Sequence, residues 1–353
     1  MPESPLETPE TLSRSPEEGA RRLALAYLDQ AAGALPRVAG DDPESDPEAL
    51  HDLRVALRRL RSCLKAYAVQ LDGSVPKKLA RRLRRLAGAT GPGRDAEVMI
   101  AWLREQRGQL GPHQRGHRHG LAWLLARLEA RKEEAYRDLR AELADEFAPL
   151  EEGLRQRLSV YRAEVRLDGR RPPSFGDAAA DLVHDHAVEL ARRLKLVASA
   201  EEVKPAHQAR IRAKRLRYLA DPLAPLVQPS PSRSGRAGEL VQNLKQLQDL
   251  LGELHDSHVM AAEIEEALGE ASAERARRLL ELTLEGGEVD QRLLRAARRR
   301  TLEPGLLALA RLNRARRDRL FAAFAERWQG QGAEELLGAA ERLAEALRAA
   351  HGG

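Results

Sequence analysis

Basic side chains recur at one-turn helical spacing in two separate stretches of the chain. Each stretch opens with a histidine and continues with three cations: His51, Arg54, Arg58 and Arg61 in the first, His207, Arg210, Lys214 and Arg217 in the second. Residues three or four positions apart lie on one face of an α-helix, about 5–6 Å from one another. Neighbouring like charges repel, so such a row favours an extended anion as its partner, and the guanidinium fork of Arg matches phosphate oxygens. The spacing therefore predicts binding of a linear polyanion.

The two stretches belong to a longer internal repeat. Residues 51–61 align with residues 207–217 without a gap, and residues 83–95 resemble residues 244–256. Self-similarity of this length indicates two related halves within one chain.

Apolar residues give each repeat stretch a second face. They recur at steps of three and four: Leu53, Leu57, Leu60, Leu64, Tyr67 and Leu71 in the first copy, Ala209, Ala213, Leu216 and Ala220 in the second. We expect this stripe to face a core, centred roughly 120° around the helix from the cations. A plain solvated face would mix Glu with Arg at these spacings, because such pairs stabilise helices. The cationic stripe contains no acid, although the alternative of ordinary solvated basic residues stays open.

The composition is that of an all-α protein. Hydrophobic residues make up 42% and charged residues 32% of the chain, and the abundant Leu, Ala, Arg and Glu are good helix formers. The formal net charge is only +5, so the cations matter where they cluster. The single cysteine, Cys63, excludes internal disulfides and a Cys-rich zinc site, and we expect it to be a small packed residue. Because the sequence has neither a membrane-length apolar run nor a signal-peptide pattern, we expect a cytoplasmic protein.

Turn and linker signals divide the chain into five parts. We expect a disordered acidic N-terminus over 1–16, a first helical repeat over 17–168, a linker over 169–176, a second helical repeat over 177–330, and a C-terminal helix and tail over 331–353. The predicted helices cover residues 17–35, 47–71, 75–90, 94–107 and 121–147 in the first half, and residues 177–197, 205–220, 236–251, 254–268 and 305–328 in the second, with further helical pieces over 272–300. Gly and Pro residues suggest the breaks between them.

Other basic residues extend the candidate site. They lie on the helix after each repeat stretch and on the long helix that closes each half: Lys77, Arg81, Arg84, Lys245, Arg131 and Arg316. For the two closing helices, a role as ordinary solvated residues is an equally good interpretation.

The motifs resemble those of the CHAD family, the conserved-histidine α-helical domain. The first half carries His51-x-x-Arg54-Val-x-x-Arg58-Arg-Leu-Arg61 followed by Gly91-Pro-Gly-Arg94-Asp95. The second carries His207-x-x-Arg210-Ile-x-x-Lys214-Arg-Leu-Arg217-Tyr218 followed by Gln248-Asp249-x-x-Gly252-Glu-Leu-His255-Asp256. The resemblance spans roughly residues 17–330.

The resemblance implies both a fold and a ligand. The implied fold is all-α, with two pseudo-symmetric antiparallel helical bundles of the four-helix type and a basic groove or pore between them. The implied ligand is inorganic polyphosphate, held without catalysis by basic side chains of the first two helices of each repeat, and the implied location is at polyphosphate granules. The acidic start of a CYTH domain, a frequent fusion partner, does not occur in the sequence, so the chain looks like a stand-alone member.

Two residues depart from the family pattern. His255 stands where an Arg is expected before Asp256, and Asp221-Pro222 follows the second motif, which predicts an early end or a kink in that helix. Both departures are expected to weaken the contribution of the second half to binding.

Other functions remain as alternatives. A nucleic-acid-binding protein would share the basic stripe but needs stacking aromatics, and aromatic residues make up only 3% of the chain. A metal-dependent phosphohydrolase would need several His and Asp ligands at compatible positions, and His113, His117 and His119 lie in a predicted loop without carboxylates nearby. We therefore assign no catalytic residue, no metal ligand and no cofactor, and expect no enzymatic activity.

Overall fold

We describe the protein from a computed structural model. The structure describes residues 6, 8–38, 47–108, 115–160, 172–227, 234–284 and 301–350. Within these residues the α-helices are α1 (Pro16–Val38), α2 (Pro47–Ala66), α3 (Lys77–Ala89), α4 (Gly91–Gln106), α5 (Arg115–Leu158), α6 (Phe175–Leu194), α7 (Val203–Leu223), α8 (Ser234–Leu284), α9 (Glu303–Trp328) and α10 (Gln331–Ala349). Two 3₁₀ helices, Pro9–Ser13 and Ala224–Val227, complete the regular structure of the described residues. The prediction of an all-α fold is confirmed.

The chain forms two compact units. Unit 1 contains residues 1–90, 137–251 and 324–353, and unit 2 contains residues 91–136 and 252–323. Each unit draws on both halves of the sequence repeat, so the two repeat helices, α2 and α7, lie together in unit 1. The pseudo-symmetry of the two halves and the domain boundaries read from the sequence stay predictions.

The core of unit 1 is built on the apolar stripes of the repeat helices. Leu53, Leu57 and Leu60 of α2 are completely buried, as are Ala209 and Ala213 of α7. This burial fixes the rotation of both helices about their axes. The cationic stripe lies on a different face of each helix and therefore does not point into this core. The predicted orientation of the two stripes is therefore confirmed.

A buried arginine holds the turn that follows α2. Arg21 of α1 is 2% exposed; it forms an ion pair with Glu17 and donates from Nη2 to Oγ of Ser74 (2.6 Å) and from Nη1 to the carbonyl of Arg157 (2.6 Å). The turn also contains Gly73, whose φ of 67° is accessible at low cost only to glycine. These contacts fix the chain between α2 and α3.

Unit 2 has its own core, made by α4, α5, α8 and α9. Leu103, Leu124, Leu128, Leu306 and Leu309 are completely buried there. Apolar contacts between the four helices therefore stabilise this unit.

Three helices differ from the prediction. α8 is continuous across the predicted break at 252–254, because one interior glycine costs a helix only about 1 kcal/mol. α7 passes through Pro222 and ends at Leu223, so the predicted early end is wrong. Because Pro222 lies in the last turn, the helix lacks only the bond that its N–H would donate to the carbonyl four residues earlier. α5 begins at Arg115, so His117 and His119 are helical rather than in a loop.

The N-terminus is more ordered than the sequence suggests. Leu12, in the first 3₁₀ helix, is completely buried, and the amide of Phe175 donates to the carbonyl of Arg14 at 2.7 Å. The prediction of disorder is therefore wrong for residues 8–16. Residues 1–5 and 7, residues 169–171 of the predicted linker, His113, and residues 285–300 of the predicted helical pieces lie outside the described residues.

No described helix is both long enough and apolar enough to cross a membrane.

Candidate anion-binding groove

A groove of about 900 Å³ opens within unit 1 between α2, α3, α6 and α7. Ten of the side chains that line it are basic: Arg58, Arg61, Lys65, Arg84, His186, His207, Arg210, Arg212, Lys214 and Arg215. We call this cavity, with its lining residues, the basic groove. Its walls come mainly from α2 on one side and α7 on the other, so the structure brings the two predicted cationic stripes to one cavity.

None of the described residues that line the groove is acidic. Arg58, Arg61, Lys65 and Arg215 make no ion pair with a carboxylate of the described residues, whereas Arg212 has Glu189 at 3.5 Å. A surface that only solvates its charges commonly pairs them along a helix. Arg58, Arg61, Lys65 and Arg215 instead bring positive charge to the groove without a carboxylate partner among the described residues, which suits an anionic ligand.

Electrostatic repulsion across the groove perturbs its cations. The pKa of Lys65 lies below its ordinary value, first because of Arg215 and then because of desolvation. Desolvation, followed by repulsion from Arg212 and Arg61, lowers the pKa of Arg215. Since Lys65 and Arg61 belong to α2 and Arg215 to α7, like charges from both walls are close enough to act on each other.

Two histidines lie among these cations. Desolvation is the largest cause that lowers the pKa of His207, with further contributions from Arg210 and Lys214. Desolvation likewise lowers the pKa of His186, whose Nδ1 lies 2.9 Å from the carbonyl oxygen of Leu182. An anion in the groove would oppose the repulsive part of both shifts and favour the charged imidazolium.

The floor of the groove is apolar. Leu23, Tyr67 and Leu83 line it and are at most 1% exposed, and Cys63 is 4% exposed. The burial of Cys63 confirms the expectation of a packed residue, and it also raises the pKa of the thiol. Basic walls over an apolar floor place the cations in a partly desolvated setting, where their attraction for an anion is stronger than in bulk water.

A carboxylate behind the groove connects the two repeat helices. Oδ2 of Asp221, on α7, lies 3.3 Å from Nε of Arg217 and 3.7 Å from Nη2 of Arg59, which belongs to α2. Nη1 of Arg217 also donates to Oε1 of Gln248 at 3.0 Å. Arg217, predicted to bind the anion, is therefore engaged with an acid and does not line the groove.

The helix after α2 carries a second basic surface. Lys78, Arg81, Arg82, Arg84 and Arg85 surround a shallow cavity of about 600 Å³ on α3. Arg82 and Arg85 form ion pairs with Glu146 and Glu142 of α5 at 2.7–2.8 Å, while Arg81 and Arg84 have no such pair among the described residues. Arg84 lines both cavities, so this surface adjoins the basic groove.

The head of the first stripe has a different geometry. Nη2 of Arg54 lies 3.1 Å from Nδ1 of His51. A guanidinium only donates, so Nδ1 is the acceptor in this contact. Arg54 is 8% exposed, and neither residue lines the groove; the geometry suits His51 to orienting Arg54.

The remaining predicted ligands lie elsewhere. Lys77 and Lys245 are exposed on α3 and α8 and line no cavity described above. In unit 2, Arg131 forms an ion pair with Glu263, and Arg316 has Glu253 at 3.3 Å. Both arginines of unit 2 are therefore engaged with acids, and their role in binding stays a prediction.

Sequence analysis missed several groove residues. Arg212, Arg215, Tyr218, His186 and Lys65 line the cavity but are not among the predicted ligands. The available signal was the helical spacing of Ile211, Arg215 and Tyr218, which extends the face of His207 and Lys214. His186 is on α6, so its position depends on tertiary packing.

Within the part of the chain that the structure describes, no group of three or more His, Cys, Asp or Glu side chains is arranged to hold a metal ion.

Comparison with known proteins gives a family and a fold. The family model of the CHAD domain matches residues 22–265. The chain belongs to the CHAD family. It is similar in structure to the CHAD domain from the plant Ricinus communis, with a TM-score of 0.55 and 19% sequence identity over 84% of this chain and 96% of that one. No curated protein sequence matches it.

Proposed function

We propose that this CHAD protein binds inorganic polyphosphate in the basic groove without chemically changing it. The observation that carries the proposal is the lining itself, in which eight Arg and Lys side chains and two histidines occur without an acid. Polyphosphate is a linear chain of closely spaced negative charges. Its oxygens can pair with cations from both α2 and α7, and this pairing relieves the repulsion between the two walls.

Binding is expected to depend on charge number rather than on sequence or shape. Arg58, Arg61 and Lys65 contribute from α2, and Arg210, Lys214 and Arg215 from α7. Nucleic acid is the second candidate, because it also presents a row of phosphates. Of the two aromatic residues in the lining, Tyr67 is completely buried and unavailable for stacking. This favours a ligand without bases.

A titration series tests the proposal. Long-chain polyphosphate, single-stranded DNA and duplex DNA are compared at matched charge and several salt concentrations, with and without Mg²⁺, while released phosphate is measured. We expect tighter binding of polyphosphate than of either DNA, and no phosphate release. Equal or tighter DNA binding would overturn the proposed ligand, and phosphate release would overturn the non-catalytic role.

A pair of double variants tests the location. Arg58→Gln with Arg61→Gln removes two groove cations, and we expect at least a tenfold loss of polyphosphate affinity with unchanged helical circular dichroism. The matched control is Arg137→Gln with Arg140→Gln, which removes two exposed cations at the same spacing on α5. If both double variants weaken binding equally, affinity reflects net charge and the groove is not the site.

A further inference from the structure

The two walls of the basic groove repel each other, so their closeness needs an attractive contact. Lys65 of α2 and Arg215 of α7 are close enough for Arg215 to be the largest influence on the pKa of Lys65. Arg215 responds in turn to Arg61 of α2. The apolar core shared by α2 and α7 offsets this repulsion in free energy, but it supplies no attraction between charges of the two helices.

Asp221 provides this attractive contact. Its side chain is 16% exposed and lies between Arg217 of its own helix (3.3 Å) and Arg59 of α2 (3.7 Å). A single carboxylate therefore bridges the helices that carry the two walls. Neither Asp221 nor Arg59 nor Arg217 lines the groove, so their influence on a ligand there is indirect.

The energetics of Asp221 suit a geometric role better than a stabilising one. Burial raises the pKa of Asp221, and this effect exceeds the opposing effects of Arg217 and Arg59. In a buried ion pair the electrostatic attraction often barely exceeds the free energy of desolvation, yet the pair holds its partners in one geometry. Gln248 of α8 adds to that geometry by accepting a hydrogen bond from Arg217 at 3.0 Å.

We propose that Asp221 is a positioning residue that sets the separation of the two basic walls, so that one linear polyanion contacts both. This inference rests on the proposed function. It makes Asp221, an acid behind the groove, a requirement for tight binding of an anion.

The replacement Asp221→Asn separates this role from a simple charge effect. The variant gains one positive charge, so charge alone predicts tighter polyphosphate binding, whereas loss of the bridge predicts weaker binding. We expect a fivefold to tenfold loss of affinity. The control Asp138→Asn makes the same charge change at an exposed position of α5 and is expected to bind polyphosphate at least as tightly as the wild type.

A second variant covers the case in which Asp221→Asn folds poorly. Combining Asp221→Asn with Arg59→Gln restores the net charge and removes both ends of the contact, so fewer charges are left unpaired. Its affinity should also fall, and by no more than that of Asp221→Asn, because the two changes break one contact. Wild-type affinity in this charge-neutral variant would overturn the inference.

A distance measurement tests the same point without a ligand. Spin labels at Ala68→Cys and Lys204→Cys, in a Cys63→Ala background, report on the spacing between the ends of α2 and α7. We expect Asp221→Asn to lengthen and broaden the distance distribution, and an unchanged distribution would overturn the positioning role. Failure of the proposed function has a different signature, in which the wild type does not bind polyphosphate or Arg58→Gln with Arg61→Gln leaves its affinity unchanged.

Discussion

Lys65 on α2 and Arg215 on α7 line the same groove, and repulsion by Arg215 is the largest cause that lowers the pKa of Lys65. Two cations held close together without an intervening acid cost free energy in the absence of a ligand. An anion that lies between them removes this cost and adds its own attraction. The same pair of residues is therefore expected to oppose folding slightly and to favour binding strongly.

Replacement of Lys65 should separate these two effects. In Lys65→Met we expect the free energy of unfolding to rise by about 0.2–0.5 kcal/mol, the range for exposed like-charge pairs on helices, while polyphosphate affinity falls several-fold. Urea unfolding and a binding titration measure the two quantities. Arg140→Met, at an exposed position inside α5, is the control and should change neither. A loss of both stability and affinity in Lys65→Met would contradict the repulsion.

The depressed pKa of His207 predicts how stability and binding depend on pH. Its ordinary value is 6.5 and its value in the folded protein is lower, so the unfolded chain holds more protons on His207 between the two values. The stability contribution is present above about pH 6.5 and is lost as the pH falls through the folded pKa. Bound phosphate favours the imidazolium, so affinity for long-chain polyphosphate should rise as the pH falls from about 7.5 to about 6.

Calorimetry in buffers of different ionisation enthalpy measures this proton uptake on binding. His207→Asn should reduce it, while the control His184→Asn, at an exposed position of α6 outside the groove lining, should leave it unchanged. Equal uptake in the wild type and in His207→Asn would assign the pH dependence to another group.

The dependence of polyphosphate affinity on salt concentration should report how many cations contact the ligand. The logarithm of the binding constant falls linearly with the logarithm of salt concentration, with a slope set by the number of counterions released. Arg61→Gln should make this slope shallower by roughly one and weaken binding at all salt concentrations. Arg140→Gln on α5 is the control. An unchanged slope in Arg61→Gln would mean that Arg61 does not contact the polyanion.

Arg131 should behave as a structural residue. Its guanidinium is paired with Glu263, which is 6% exposed and also bonded to Arg127. In Arg131→Gln we expect a loss of about 1 kcal/mol in the free energy of unfolding, because a nearly buried carboxylate loses one partner. Polyphosphate affinity should stay within about twofold of the wild type. A tenfold loss of affinity with unchanged stability would indicate that Arg131 takes part in polyphosphate binding.

The structural features that depend on local spacing could be predicted from the sequence. Leu53, Leu57 and Leu60 are buried as the helical stripe predicts, and Arg58 and Arg61 lie in the groove because the same periodicity places them on a different face of α2. The helix class followed from residues with high helix propensity. Family membership followed from the two repeated motifs.

Features that depend on packing could not be predicted in this way. His186 belongs to the groove because of how α6 packs beside α7, and no spacing rule indicates that approach. Asp221 looked like a helix-ending residue next to Pro222, yet it connects two helices. Arg131 looked like a free cation because its partner, Glu263, becomes a neighbour only through helix packing. The pair of Arg217 with Asp221, four residues later on the same helix, could instead be predicted from local spacing.

The lining of the basic groove has a statistical consequence for the ligand. Its cations are similar and recur at helical spacing, so they recognise no particular phosphate along a uniform chain. A chain longer than the groove can occupy it in many registers, and each added phosphate contributes one more equivalent way to bind. Apparent affinity per chain should therefore increase with polymer length even where no new contact forms. A bound polymer can also shift along the groove one phosphate at a time without dissociating.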